Sequence, residues 1–259
     1  MTASRVAVVT GGSGDIGRAI ATALAFRMTV VITARHAGPL ERAARAIGAA
    51  TGRPVHVCPS DALEQRSVDT LVADTIARFG RIDVLANCAA STSSLAGGVE
   101  ALDVDALMAD MNTKVGGYLR YIRAVVPVMK RQKAGQIVNI GGLTGRATET
   151  LSGMRNVAVS HLTKVLSDQL GPDGITVNAV HPGIVATPHL DDVFQERART
   201  RDTDVATVAA EFVADIPMRR FLSVDEIAEV VAILATPSMT GITGQSITVD
   251  AGYSRGVYL

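Results

Sequence analysis

One stretch of this chain has the residue types and spacing to hold a phosphate. Thr10-Gly11-Gly12-Ser13-Gly14-Asp15-Ile16-Gly17-Arg18 lies between an apolar, β-rich run and a segment of helical periodicity. Glycines let a backbone approach a pyrophosphate closely, and the N-terminus of the following helix stabilises its charge. Asp15 is the odd member, because a carboxylate opposes a phosphate. Asp is also a good helix N-cap, and that role is the one expected of it. Two imidazoles lie where they could reach a ligand: His181, just before Pro182, and His189, at the start of a polar segment. Both would titrate near neutral pH, but a structural role is expected for each. No group of His, Cys and Asp has metal-ligand spacing, so no metal is expected.

The elements that must position these residues alternate regularly. Strands are read at Val6–Val9, Thr29–Ala34, Val55–Cys58, Ile82–Ala86, Gln136–Ile140, Ile175–Val180 and Ser246–Val249. Helices are read at Asp15–Phe26, Pro39–Ala50, Gln65–Phe79, Val104–Arg131, Leu151–Leu170 and Val224–Ala235. The last of these opens with Ser223 and Glu226 in capping-box spacing. Short apolar strands alternating with amphipathic helices imply βαβ units. The expected fold is α/β, a Rossmann-type, doubly wound, seven-stranded parallel sheet with helices on both faces. Residues 188–216 include a polar, charged, helix-prone run from His189 to Ala214, read as an insertion over the active face. No repeat or linker interrupts the pattern, so residues 1–259 are read as one domain.

Composition narrows the class. The chain has 259 residues, 47% hydrophobic and 19% charged, enough for a full core. Lys plus Arg and Asp plus Glu are 25 each. A net charge of zero argues against nucleic-acid or membrane-surface partners and leaves self-association unopposed. Cys58 and Cys88 sit in apolar runs and read as core residues of a reducing compartment. With no leader pattern and no apolar run of membrane-spanning length, a cytoplasmic protein is expected.

The glycine loop has the form Thr-Gly-x-x-x-Gly-x-Gly, and further motifs follow in order. They are Asp61, Asn87-Cys88-Ala89-Ala90, Asn112 in Met-Asn-Thr-Lys, Pro182-Gly183-Ile184-Val-Ala-Thr187, Gly241-Ile-Thr-Gly-Gln245 and Val249-Asp250-Ala251-Gly252. Together they resemble the short-chain dehydrogenase/reductase family over almost the whole chain. The resemblance implies a nicotinamide dinucleotide held by Gly11, Ser13, Asp15, Ile16 and Gly17. Asp61 and Ala62 would lie at the adenine, followed by Asn87 and Ala89, with Pro182, Gly183, Ile184 and Thr187 at the nicotinamide end and the phosphates. Members that prefer NAD carry an acid after the second strand; here Ala34 and then Arg35 occupy that place. An Arg can bind a 2′-phosphate through charge-assisted hydrogen bonds, so NADP(H) is expected over NAD(H). A small-molecule substrate is implied. So is a homotetramer or homodimer, paired through the two long helices.

The family's chemistry uses a Tyr and a Lys four residues apart on one helix face, a Ser after the fifth strand and an Asn on the preceding helix. Aligned from Leu162-Thr163-Lys164 and Gly174-Ile-Thr-Val-Asn178, the Tyr position is Ser152, the Lys position Asn156 and the Ser position Gly142. Asn112 is read as the one member kept. None of Tyr118, Tyr121, Tyr253 and Tyr258 has a Lys four residues later. The expectation is an oxidoreductase of small carbonyls or alcohols with a non-standard or impaired site. The alternative is an inactive dinucleotide-binding sensor or partner subunit.

Overall fold

The computed structural model describes residues 4–89, 99–143, 151 and 153–255. Ala90, Ser152 and Tyr258, all named above, lie outside the described residues. Strand β1 (Val6–Thr10) is buried at every position because both faces of its sheet are covered. Ala7 and Val9 point into one apolar cluster, Val6 and Val8 into another. That is the period-two alternation of a strand serving two cores. The same holds in β4 (Val84–Asn87), where Val84 and Ala86 join the first cluster and Leu85 the second.

Seven parallel strands form the sheet in the order β3-β2-β1-β4-β5-β6-β7. The others are β2 (Thr29–Thr33), β3 (Val55–Val57), β5 (Gly135–Ile140), β6 (Ile175–Pro182) and β7 (Ser246–Val249). Order reverses between β1 and β4, where Val9 pairs with Ile32 on one side and Ala86 on the other. In open α/β sheets a ligand crevice forms at such a reversal. The fold is therefore the Rossmann-type one expected.

Helices α1 (Asp15–Ala25), α2 (Ala37–Thr51) and α9 (Val224–Leu234) cover one face through Ile20, Leu24, Leu40, Ile47, Ile227 and Val231. On the other face, α3 (Gln65–Phe79), α5 (Gly117–Gln132) and α6 (Gly153–Leu170) contribute Leu71, Tyr121, Val125, Met129 and Val159. The insertion folds as α7 (Pro188–Thr200) and α8 (Val205–Asp215), joined by a small cluster of Phe194, Ala198 and Val208. None of the described helices is long and apolar enough to cross a membrane.

Two expectations about elements change. The helix read as continuous from Val104 to Arg131 is α4 (Val104–Met111), a π-helical turn at Asn112–Gly116, and then α5. The Gly117 N–H donates to the Asn112 carbonyl, five residues back, which inserts an extra residue into the turn. The second change is that β6 continues through His181 and Pro182, pairing them with Thr248 and Val249 of β7.

Candidate functional site

The glycine loop is shaped by contacts that leave no room for side chains. Gly11 has φ +65°, and a Cβ there would sit 2.9 Å from the Ala89 nitrogen. A Cβ on Gly12 would meet the Ile32 side chain at 2.6 Å, and one on Gly17 would run into the Gly11 carbonyl. Thr10 Oγ1 accepts hydrogen bonds from the Cys88 and Ala89 N–H groups at 3.0 and 3.1 Å, joining the ends of β1 and β4. A cleft of about 400 Å³ results, with Gly11, Ser13, Asp15, Ile16 and Gly17 on its floor. Arg35, Asp61, Ala62, Ala89 and Thr187 also line it. Such a cradle, closed to any Cβ and facing the start of α1, fits a pyrophosphate.

Individual residues refine this picture. Asp15 is the first residue of α1, and Gly14 is the N-cap, so the capping role expected of Asp15 does not hold. Its carboxylate lies 3.1 Å from Arg18, one turn on, and its charge suits the positive end of the helix. Arg35 is exposed at the cleft, with no ion pair among the described residues. Asp61 accepts from Leu63 N–H at 2.9 Å, and its own N–H donates to Ser67 Oγ at 3.0 Å. Asn87 is buried below the cleft, donating to Asn139 at 2.9 Å, while its own Oδ1 has no partner. Thr187 caps α7 by accepting from Leu190 N–H.

A second cavity, of about 480 Å³, meets the first at Ile16, Cys88 and Thr187. Pro182, Gly183 and Ile184 line it, as do Gly142 and Asn156. Gly142 and Asn156 are brought together: a Cβ on Gly142 would fall 2.7 Å from Asn156 Nδ2. Cys88, read as a core residue, stands at the junction of the two cavities, where burial pushes its thiol up to about 12. Helix α7 supplies the outer wall through His189, Leu190 and Val193, and α8 adds Phe212. His181 does not line the cavity. Its Nδ1 lies 3.3 Å from both the nitrogen and the oxygen of Gly142, and its Nε2 lies 3.0 Å from Ser160 Oγ. Among the described residues, no group of three or more His, Cys, Asp or Glu could hold a metal.

Asn112 is not brought to this cavity. It is exposed on the outer side of the π turn, where its Oδ1 accepts from Arg120 at 2.8 Å. Lys114 takes the inner position and is buried. Its Nζ donates to the Gly141 carbonyl at 2.7 Å and to Asn156 Oδ1 at 2.8 Å. Burial, reinforced by the Arg155 charge and opposed by Asp110, brings the Lys114 ammonium down to about 7. Arg155 is itself ion-paired with the buried Asp110. The buried stripe of α4 and α5 runs Leu107, Asp110, Lys114, Tyr118, Tyr121, Val125. Helical spacing along that stripe was the signal for Lys114, and it places Asn112 on the opposite side.

A family model described as Enoyl-(Acyl carrier protein) reductase matches residues 12–254. The short-chain reductase protein NovJ of Streptomyces niveus is 34% identical over 253 residues, covering 95% of this chain and 93% of that protein. A variant of actinorhodin polyketide ketoreductase, solved with NADPH, superposes with a TM-score of 0.90 at 28% identity, over 98% of each chain. NAD+-bound xylitol dehydrogenase superposes with a TM-score of 0.89 at 26% identity, over 97% of this chain and 100% of that one. The glycine-walled cleft at the strand-order reversal, the motifs along the chain and these likenesses agree: the chain belongs to the short-chain dehydrogenase/reductase family.

Proposed function

We propose that this protein is an NADP(H)-dependent oxidoreductase of a small carbonyl or alcohol, working through a catalytic constellation altered from the family pattern. The observation that carries this reading is the glycine-walled cleft with exposed Arg35 at its lining and no acid after β2. Gly11, Ser13, Ile16 and Gly17 would hold the pyrophosphate. Asp61, Ala62, Asn87 and Ala89 would hold the adenosine half, and Arg35 the 2′-phosphate. Pro182, Gly183, Ile184 and Thr187 would hold the nicotinamide end over the second cavity. A bound dinucleotide supplies hydride exchange; the chain binds, orients and excludes water. At the second cavity, Gly142 and Asn156 stand where the resemblance implies Ser and Lys; in the sequence alone, Ser152 takes the place of the Tyr. Ordinary ketones should therefore turn over slowly, since one positioned acid or base is worth ~10²–10⁴-fold in rate. Neutral Asn156, in contact with Gly142, favours a second reading: a dinucleotide-binding sensor or partner subunit without turnover. We infer a cytoplasmic homodimer or homotetramer in either case.

Calorimetric titration with NADPH and NADH tests the cofactor half, and nicotinamide absorbance with a panel of carbonyls and alcohols tests the chemistry. NADPH is expected to bind more tightly and to be consumed slowly. Equal or absent binding of the two sinks the reading, and tight binding with no hydride transfer supports the sensor.

A further inference from the structure

We propose that Lys114 is the proton donor of this site, acting directly on the substrate oxygen. The inference rests on the reductase reading above and supplies what that reading lacks, an acid. Three observations carry it. Lys114 lines the second cavity, which opens from the dinucleotide cleft at Ile16, Cys88 and Thr187. Its ammonium has three N–H donors. Two are fixed by the Gly141 carbonyl at 2.7 Å and Asn156 Oδ1 at 2.8 Å. The third has no partner among the described residues. Two acceptors on opposite helix and strand ends thus aim a single free donor, which is what a positioned acid requires.

The titratable and charged groups that line this cavity or act on Lys114 are Cys88, Asp110, Tyr118, Arg155, His189 and Tyr253. Asp110 of α4 and Arg155 of α6 pair with each other. Cys88 stays a neutral thiol, since burial pushes it up to about 12. Tyr118 of α5 donates to the Ile140 carbonyl at 2.9 Å, and burial holds its phenol well above the ordinary range. His189 of α7 lines the far wall and is exposed. Burial brings the ammonium down to about 7, where both protonation states are populated at neutral pH. In the reductive direction, the carbonyl carbon accepts hydride from the reduced nicotinamide dinucleotide, which leaves oxidised. The C=O π pair moves to oxygen and takes a proton from Lys114: one N–H bond breaks, one O–H bond forms. Water reprotonates the neutral amine. Asn156 is then a positioning residue, holding Nζ rather than touching substrate.

The chain's lysines are Lys114, Lys130, Lys133 and Lys164, and the other three are exposed and paired with Asp173 or Asp168. Carbon-13 NMR of lysine Cε in the full chain therefore reads Lys114 directly. One resonance titrating near pH 7, absent in Lys114→Met, is expected. With NADPH and 9,10-phenanthrenequinone or ethyl acetoacetate as probes, the wild-type rate should fall as pH rises through about 7. Lys114→Met should lower kcat by ~10²–10⁴-fold and lose that pH dependence, with NADPH binding kept within a few-fold. Lys114→Arg, charged but a far weaker acid, should not restore the rate. A Lys114 resonance titrating with the other three, or Lys114→Met keeping the wild-type rate and profile, overturns the proposal. Tight NADPH binding with no reduction of either probe overturns it as well. Loss of NADPH binding in the wild type would instead remove the reductase reading itself.

Discussion

Arg35 stands just beyond β2, where a carboxylate would repel a 2′-phosphate. Its guanidinium is exposed, carries no ion pair among the described residues and lines the cleft. A hydrogen bond to a charged group contributes about 1.5–3 kcal/mol. Arg35→Ala is therefore expected to weaken NADPH binding by roughly 10–100-fold and leave NADH within two-fold or so. Equal weakening of both, measured by calorimetry, would show that Arg35 does not contact the 2′-phosphate. Lys114 makes a second prediction at this scale, on stability. The unfolded chain holds the Lys114 proton up to about pH 10.4, whereas the folded chain releases it near 7. Between those values the unfolded state binds more protons, so the Lys114 contribution to stability rises with pH. Below pH 7 the full cost of the buried charge is present. Lys114→Met should accordingly gain most on wild type at pH 6 and least at pH 10 in denaturant unfolding. A pH-independent difference would mean that Lys114 is not depressed.

At the scale of elements, the π turn between α4 and α5 falls at the residue that enters the cavity. A straight helix would already place Asp110 and Lys114 on one face; the turn widens the backbone at Lys114 and exposes Asn112. Gly116 and Gly117 permit it. A Cβ on Gly116 would meet Asn112 Oδ1 at 2.7 Å, and one on Gly117 would meet the Ala62 side chain at 3.1 Å. Helix α9 shows the opposite case, an end written entirely in local sequence. Ser223 Oγ accepts from Glu226 N–H at 3.3 Å, and Glu226 accepts from Ser223 N–H at 2.9 Å. Arg220 adds two bonds of 2.8 Å, and the Glu226 carboxyl falls to about 2. Ser223→Ala should cost about 1 kcal/mol, read as a lowered Tm with cofactor affinity unchanged. No change in Tm would show that the cap adds nothing to global stability.

Across the whole molecule, apolar surface remains exposed among the described residues. Helix α6 exposes Met154 at 49%, Val157 at 53% and Val165 at 37%, spaced to lie along one stripe, and α4 exposes Met108 at 61%. Association through these helices would bury that stripe, and a net charge of zero does not oppose it. Val157→Glu is expected to shift the protein to monomer in sedimentation at micromolar concentration, with NADPH binding largely kept. A wild-type monomer at all concentrations would contradict the pairing.

The sequence by itself determined the sheet and the cleft. Short apolar strands between amphipathic helices leave few topologies. Those periodicities are local signals, set by one residue and its near neighbours. The capping box of α9 follows from the same kind of reading. Only tertiary structure decided the charge at the site. Asn112 matched a motif, yet the buried stripe passes through Lys114, which the fold places against Gly141 and Asn156. Nor was the depressed ammonium legible. It exists because burial removes the water that would keep the charge at its ordinary strength, and because α6 brings the Arg155 charge near Lys114. His181 has the structural setting expected of it, but only the fold shows its neighbours, Gly142 and Ser160.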